Sequence, residues 1–214
     1  MKWSRWCHRH LVHRRRVEQL AGGIARILPE NIVSILDVGC GDGQVAYHLQ
    51  NFRSELSIQG IDVIRRDQTY IPVSLYDGRR LPVPDKTFDA VMLIDVLHHV
   101  PLPQELLQEC ARVARHALII KDHLQHTWFD GALLSFMDLV GNAPYGVSRT
   151  YRYWSPERWQ AAFTLLGWQP VRYTTQLGLY PPFADWVFGR QLHFLALLQP
   201  TTQQSTVKSL NVHE

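Results

Sequence analysis

The run Ile35-Leu-Asp37-Val-Gly39-Cys40-Gly41-Asp-Gly43 has the most evident capacity for chemistry in this chain. Glycines at alternate positions let a backbone turn sharply and let a ligand touch main-chain atoms without meeting a Cβ. A chain that leaves a strand through such a turn and enters a helix presents free amides and a helix N-terminus, a cradle for a polar ligand. Further carboxylates recur downstream. Asp62 follows Gly43 by 19 residues, where an acid accepts both hydroxyls of a ribose, and Asp77 and Asp95 each follow a later apolar run. Histidines, which exchange protons near neutral pH, stand at His98, His99 and His123.

These residues need elements that bring them to one side. Short runs rich in Val, Ile and Leu read as buried parallel strands: Ile32–Val38, Leu56–Val63, Ile71–Leu75, Phe88–Ile94 and Ala117–Lys121, then Trp168–Thr174 and Gln191–Leu198. Helical patterns fit Gln44–Phe52, Pro103–Ala114, Thr127–Val140 and Pro156–Leu166, the last announced by the cap Ser155-Pro156-Glu157. The alternation predicts an α/β, Rossmann-like doubly wound sheet with helices on both faces. In such a sheet the strand ends that carry Asp37, Asp62, Asp77 and Asp95 form one rim, where ligands bind. Only about eight residues around Ile64–Tyr70 separate the second strand from the third, which predicts a shortened crossover. Pro72, lacking a ladder donor, suits an edge strand there. The face left bare predicts a cover, either the N-terminal helix or a second subunit.

The 214 residues are 46% apolar and 19% charged, which predicts one domain with a buried core and excludes disordered and fibrous classes. No apolar run approaches the roughly 18 residues of a bilayer crossing. The Arg-rich start lacks the apolar stretch of a secretory signal. Cys7, Cys40 and Cys110, odd in number and without metal-ligand spacing, suit a reducing, cytoplasmic setting. The net charge of +3 conceals a split, because residues 1–16 hold six basic side chains and no acid, leaving the remainder at −3. Residues 1–28 therefore read as a basic arm or helix whose Val17, Leu20, Ile24 and Ile27 dock on the body. Residues 29–200 form the single domain, and 201–214 read as a polar, disordered tail. With Trp3 and Trp6 interleaved, the arm would also suit nucleic acid or an anionic membrane surface. The Cys7, His8, His10, His13 cluster is read as chance enrichment.

Taken in order, Ile35–Gly43, Gly60-Ile-Asp62, Tyr76-Asp77-Gly78, Leu81-Pro-Val-Pro-Asp85-Lys-Thr-Phe88-Asp89 and Asp95-Val-Leu-His98-His99-Val resemble the motifs of class I S-adenosylmethionine-dependent methyltransferases. The resemblance covers about residues 32–121. It implies a seven-stranded sheet of order 3-2-1-4-5-7-6 with strand 7 antiparallel, and S-adenosyl-L-methionine as cofactor. It implies that Asp37, Gly39 and Gly41 hold the methionine end while Gly43 shapes the turn. Asp62 would bind the ribose and Asp77 the adenine amino group; Cys40, Val63, Gly78 and Asp95 complete the expected cofactor-binding set. The short second crossover departs from the family pattern beside the adenine. A dehydrogenase turn is the rival: its last glycine falls on Gln44 counted from Gly39, or on Ala46 counted from Gly41, which the looser motif allows. The run from Asp77 to His99 has no role in that reading.

Methyl transfer from a sulfonium is an in-line displacement, so the protein chiefly holds the acceptor against the methyl and excludes water. A hydroxyl or acidic C–H acceptor must lose a proton, and His98, His99 and His123 are the candidate catalytic residues. The Asn-Pro-Pro-Tyr type of sequence used on amide and exocyclic amino nitrogens is absent after the fourth strand. Cys40 and Cys110 are ill placed for thiolate chemistry on cytosine. A divalent-metal site would need clustered acids, of which Asp95 and Asp122 are only two, so no metal is expected. A lid at about 123–156 contains Trp128, Tyr145, Tyr151 and Tyr153, and these with Tyr180, Phe183 and Trp186 predict a small, partly apolar acceptor, methylated on oxygen or carbon, whereas Phe129, Leu133, Phe136, Met137 and Val140 have helical spacing and read as core. Arg149 or Arg152 would hold an acid group on it. RNA or protein acceptors and a non-catalytic cofactor-binding subunit are the competing readings. Nucleic acid is not favoured, and a homodimer is compatible with the bare face.

Overall fold

The computed structural model describes the backbone of residues 2–142, 152–180 and 191–201, and the side chains of 14–139, 152–180 and 191–201. The strands are β1 (Ser34–Val38), β2 (Ser57–Asp62), β3 (Val73–Leu75), β4 (Phe88–Ile94), β5 (Ala114–His123), β6 (Trp168–Thr174) and β7 (His193–Pro200). They form one seven-stranded sheet of order β3-β2-β1-β4-β5-β7-β6. Every described pairing is parallel except those of β7, which runs antiparallel to β5 and β6. This is the expected order, including the reversed last strand.

Burial on both faces of the sheet follows from residues that alternate between two cores. Leu36, Val91, Leu93, Leu118 and Ile120 join α3 (Pro103–Val113) and α5 (Pro156–Leu166) on one face. Their neighbours Ile35, Ala90, Met92, Ala117 and Ile119 join α1 (Lys2–Ile27) and α2 (Gln44–Phe52) on the other. α5 begins as its sequence predicts, with Ser155 Oγ accepting from Arg158 N at 3.3 Å and Pro156 in the first turn, and it ends at the left-handed Gly167. Before it lie a 3₁₀ turn (Leu97–His99) and α4 (Trp128–Asn142).

The second crossover contains no helix. Its end fills the gap instead: Ile71 is buried where Gly43 and Gly60 lack a Cβ, and Tyr70 lies against Tyr47 of α2 with ring centroids 5.7 Å apart. β3 is the edge strand, and Pro72 before it supplies its carbonyl to Gly60 N at 2.8 Å. Val17, Leu20, Ala21 and Ile24 bury α1 on the same sheet face, against α2 and β7 rather than over β3. β5 is longer than its apolar run, extending through Lys121, Asp122 and His123, all buried. Among the described residues no helix is long and apolar enough to cross a membrane.

Candidate active site

Beyond β1 the chain turns through Gly39 (φ 70°), Gly41 (φ 60°) and Gly43 (φ 81°), left-handed conformations that disfavour any side chain. Two of these glycines are also packed. A Cβ on Gly39 would stand 2.6 Å from Val96, and one on Gly43 2.5 Å from Ile71. Gly41 differs: no heavy atom lies within 4 Å of where its Cβ would be, so its face is open. Asp62, at the end of β2, fixes the turn, its carboxylate accepting from Gly41 N and Ile64 N at 2.8 Å each. Asp37 is 3% exposed. No hydrogen bond or ion pair among the described residues reaches its carboxylate, which burial and then the Asp62 charge push up to about 8. Cys40 is a packing residue whose Sγ fills the place of a Gly60 side chain; burial and then Asp37 raise its thiol, so it stays protonated. Beyond β3, the exposed Asp77 accepts from Arg79 N at 2.9 Å. Gly78 (φ 78°) lies against Val63, which leaves an exposed apolar wall beside Asp77.

The ends of β4 and β5 hold a second, ionic assembly. Asp95, itself left-handed at φ 57°, binds Arg16 of α1 at 2.6 Å through one oxygen and the fully buried Lys121 through the other. Burial works to raise Asp95, but Lys121 and Arg16 hold it well below the usual carboxylate range. Its side chain is thus committed to two cations. Lys121 also lies 3.4 Å from His193 Nδ1, whose other nitrogen is 3.2 Å from Tyr180 Oη.

The three candidate histidines cluster beside this pair but differ in state. His98 is 2% exposed, with Nδ1 2.6 Å from Asp122 and Nε2 3.3 Å from Asp138 of α4. Burial alone would lower it, yet Asp122 and Asp138 push it up to about 10, so it stands as an imidazolium between two carboxylates. His123 is equally buried, its Nδ1 3.3 Å from both His98 Nδ1 and Asp122, and burial and then the Lys121 charge keep it neutral. His99 is half-buried, its ring 4.0 Å from that of His98; burial and then His98 push it down to about 4. Three carboxylates (Asp95, Asp122, Asp138) therefore face three cations (Arg16, Lys121, His98), and the assembly is neutral.

The lid region closes over the histidines. Tyr153 donates to Asp138 at 2.5 Å, Arg152 N to His98 O at 3.0 Å, and Trp159 Nε1 to His123 O at 3.1 Å. The Arg152 guanidinium donates to Pro101 O at 3.0 Å, away from an acid-binding role. Trp128 and Phe129 stack on each other at 3.6 Å, largely exposed. A cavity of about 700 Å³ opens at the start of α4, lined by His126, Thr127, Phe129, Asp130, Leu133 and Gln191 and by no residue of the glycine turn. Tyr145, Arg149, Tyr151, Phe183 and Trp186 lie outside the described residues. Sequence reasoning missed Arg16, Lys121 and Asp138 as parts of this assembly. Asp138 carried a signal, being a carboxylate inside an apolar helical stretch.

Comparison with known proteins agrees with this architecture. Residues 36–117 match the methyltransferase domain family. Over 94 residues the chain is 29% identical to the 27-O-demethylrifamycin SV methyltransferase of Amycolatopsis mediterranei, covering 38% of this chain and 34% of that protein. Over 90 residues it is 37% identical to the fatty-acid O-methyltransferase of Mycolicibacterium smegmatis, covering 38% of this chain and 33% of that protein. The matched stretch thus spans about a third of each relative. A solved S-adenosylmethionine-dependent methyltransferase from Mesorhizobium loti superposes with a TM-score of 0.59 at 15% identity, covering 83% of this chain and 96% of that one. The [4+2]-cyclase SpnF superposes at 0.58 with 18% identity, covering 86% and 81%. The fold is that of the class I S-adenosylmethionine-dependent methyltransferases.

Proposed function

We propose that this protein transfers a methyl group from S-adenosyl-L-methionine to oxygen or carbon of a small, partly apolar molecule. One observation carries the reading: Asp37 is a buried carboxylate with no cation, placed beside the only glycine of the turn that faces open space. A ligand's ammonium group relieves both the burial and the Asp62 repulsion, so the cradle fits the amino-acid end of the cofactor. Asp62 is positioned for ribose hydroxyls, and the Val63–Gly78 wall with Asp77 for a flat base with an exocyclic amine. When bound, the cofactor supplies an electrophilic methyl. This chain's residues bind it, exclude water and orient the acceptor.

His98, with both nitrogens against carboxylates, is not the proton acceptor. His99 is the half-exposed histidine of the three. Two relatives named above are methyltransferases of small molecules, one acting on a fatty acid, which supports a partly apolar acceptor. The basic arm is weaker support for RNA than its charge suggests, because Arg16 is engaged by Asp95. Both cysteines described are free thiols, in keeping with a cytoplasmic setting.

The test is calorimetry with S-adenosylmethionine and its demethylated product, followed by labelled methyl transfer into a metabolite extract, total RNA and total protein. Binding to wild type, lost on Asp62→Ala, with label entering small molecules, is the expected result. Absence of binding to folded protein refutes the reading. Label abolished by nuclease transfers it to RNA.

A further inference from the structure

Among the described residues, two groups of metal-capable side chains converge, each with its ligand atoms within 4.8 Å of one another: Asp95, His98, Asp122 and His123, and His98, His99 and Asp138. The first is closed. Asp95 is occupied by Lys121 and Arg16, and Asp122 accepts from Leu97 N at 3.1 Å, from His123 N at 2.7 Å and from His98. The second is open in one informative respect. Among the described residues His98 Nε2 is buried with no hydrogen bond of good geometry, and its one contact is the ion pair with Asp138 Oδ2 at 3.3 Å. At that distance a missing hydrogen bond means that the ring nitrogen's axis passes beside the oxygen. A buried polar atom without a well-aligned hydrogen bond is costly unless something else meets it.

We propose that His98 Nε2, His99 and Asp138 bind a divalent first-row cation of the zinc type, with one coordination position left for the acceptor's oxygen. Metal bonds of about 2.0–2.1 Å at tetrahedral angles place neighbouring ligand atoms about 3.3 Å apart. The separation of His98 Nε2 from Asp138 Oδ2 is 3.3 Å. Two imidazoles and a carboxylate with a vacant position are the composition of catalytic rather than structural zinc sites.

The outer contacts are those a ligating histidine requires. Asp122 takes the His98 Nδ1 proton at 2.6 Å and is itself fixed by two backbone amides. That arrangement keeps the proton on Nδ1, so a cation that binds displaces the Nε2 proton of the imidazolium to solvent and meets Nε2 as a lone pair. Tyr153 holds Asp138 from the other side at 2.5 Å. The charge count also closes. With His98 neutral, the carboxylates of Asp95, Asp122 and Asp138 exceed Arg16 and Lys121 by one, and a divalent cation reverses that to one positive charge. An ionised oxygen on the acceptor restores neutrality. The site therefore selects an acceptor with a hydroxyl, phenol or carboxyl group, whose proton, where it has one, passes to water as the oxygen meets the cation. His99 is then a ligand rather than a base. This acceptor role rests on the methyl-transfer reading; cation binding does not.

The full chain is stripped with chelator and titrated with ZnCl2 by calorimetry and with CoCl2 by visible absorption. One equivalent is expected to bind, with a tetrahedral cobalt spectrum. His99→Ala and Asp138→Asn should each weaken binding about tenfold or more, and Tyr153→Phe, which leaves all ligands in place, by several-fold. Changing His8, His10 and His13 together to Ala should leave the site intact. No binding overturns the proposal, as does binding that survives His99→Ala and Asp138→Asn or that vanishes in the His8/His10/His13 variant. Far-UV circular dichroism confirms that each variant is folded. Binding of S-adenosylmethionine is measured separately on the same samples, so the metal site and the methyl-transfer reading stand or fall independently.

Discussion

At the scale of the residue, Asp37 has the clearest consequence. Its carboxyl is raised to about 8 by burial and by Asp62, against an ordinary value of 3.8. Near neutral pH it is protonated in the folded protein and ionised in the unfolded chain. The folded state then binds the extra proton, so stability falls as pH rises from about 4 to about 8. Asp37→Asn removes this dependence. Relative to wild type, it should gain stability between about pH 5 and about pH 8, by up to roughly 1.4 kcal/mol per unit, read by denaturant melts at both values. The same proton reports on binding. A ligand ammonium beside Asp37 favours the carboxylate, so cofactor binding near pH 7 should release about one proton. Calorimetry in buffers of different ionisation enthalpy counts it, and Asp37→Asn should bind more weakly and release correspondingly less.

At the scale of the element, the turn from β1 into α2 separates glycines that serve packing from the one that serves a ligand. Gly39→Ala and Gly43→Ala each add a left-handed penalty of about 1–2 kcal/mol to a clash with Val96 or Ile71. Both should lower the melting temperature markedly. Gly41→Ala meets open space. It should cost only the conformational penalty while abolishing cofactor affinity, so thermal melts and binding isotherms should rank the variants in different orders. The family resemblance already sets Gly43 apart as the glycine that shapes the turn; what was not legible in the sequence is that Gly39 is packed too, against the distant Val96. The turn itself was legible, because Ile35–Gly43 is a contiguous signal, and so were β4, β6, α2 and α5, whose periodicity and caps are local. β5 runs from Ala114 to His123, beyond the expected Ala117–Lys121 at both ends, because period reasoning ends a strand near its polar flanks, among them Asp122 and His123. Only the structure shows those side chains buried against partners from other elements.

At the scale of the whole molecule, the N-terminal helix is tied to the rim by a contact that no local pattern reveals, since Arg16 and Asp95 lie 79 residues apart. Counting charge assigned Arg16 to a wet basic arm; its guanidinium instead meets a carboxylate at the end of the central strand. Asp138 reaches His98 by a comparable long-range approach, which is why the candidate histidines were visible in sequence and their states were not. The ion assembly makes a graded prediction. Lys121 is completely buried, and removing it as Lys121→Met leaves Asp95 short of a partner, at a cost of about 3 kcal/mol. The Arg16 side chain is 34% exposed, so Arg16→Met, screened by solvent, should cost no more than about 1 kcal/mol. For a chain of this size each kcal/mol lowers the melting temperature by about 2–4 °C. Adding Asp95→Asn to Lys121→Met removes the stranded charge, and asparagine tolerates the left-handed backbone at that position. The double variant should therefore recover at least half of the loss. A double variant less stable than Lys121→Met alone would show that Asp95 anchors the rim through its backbone conformation rather than through its charge, and α1 would then be held to the sheet by its apolar face.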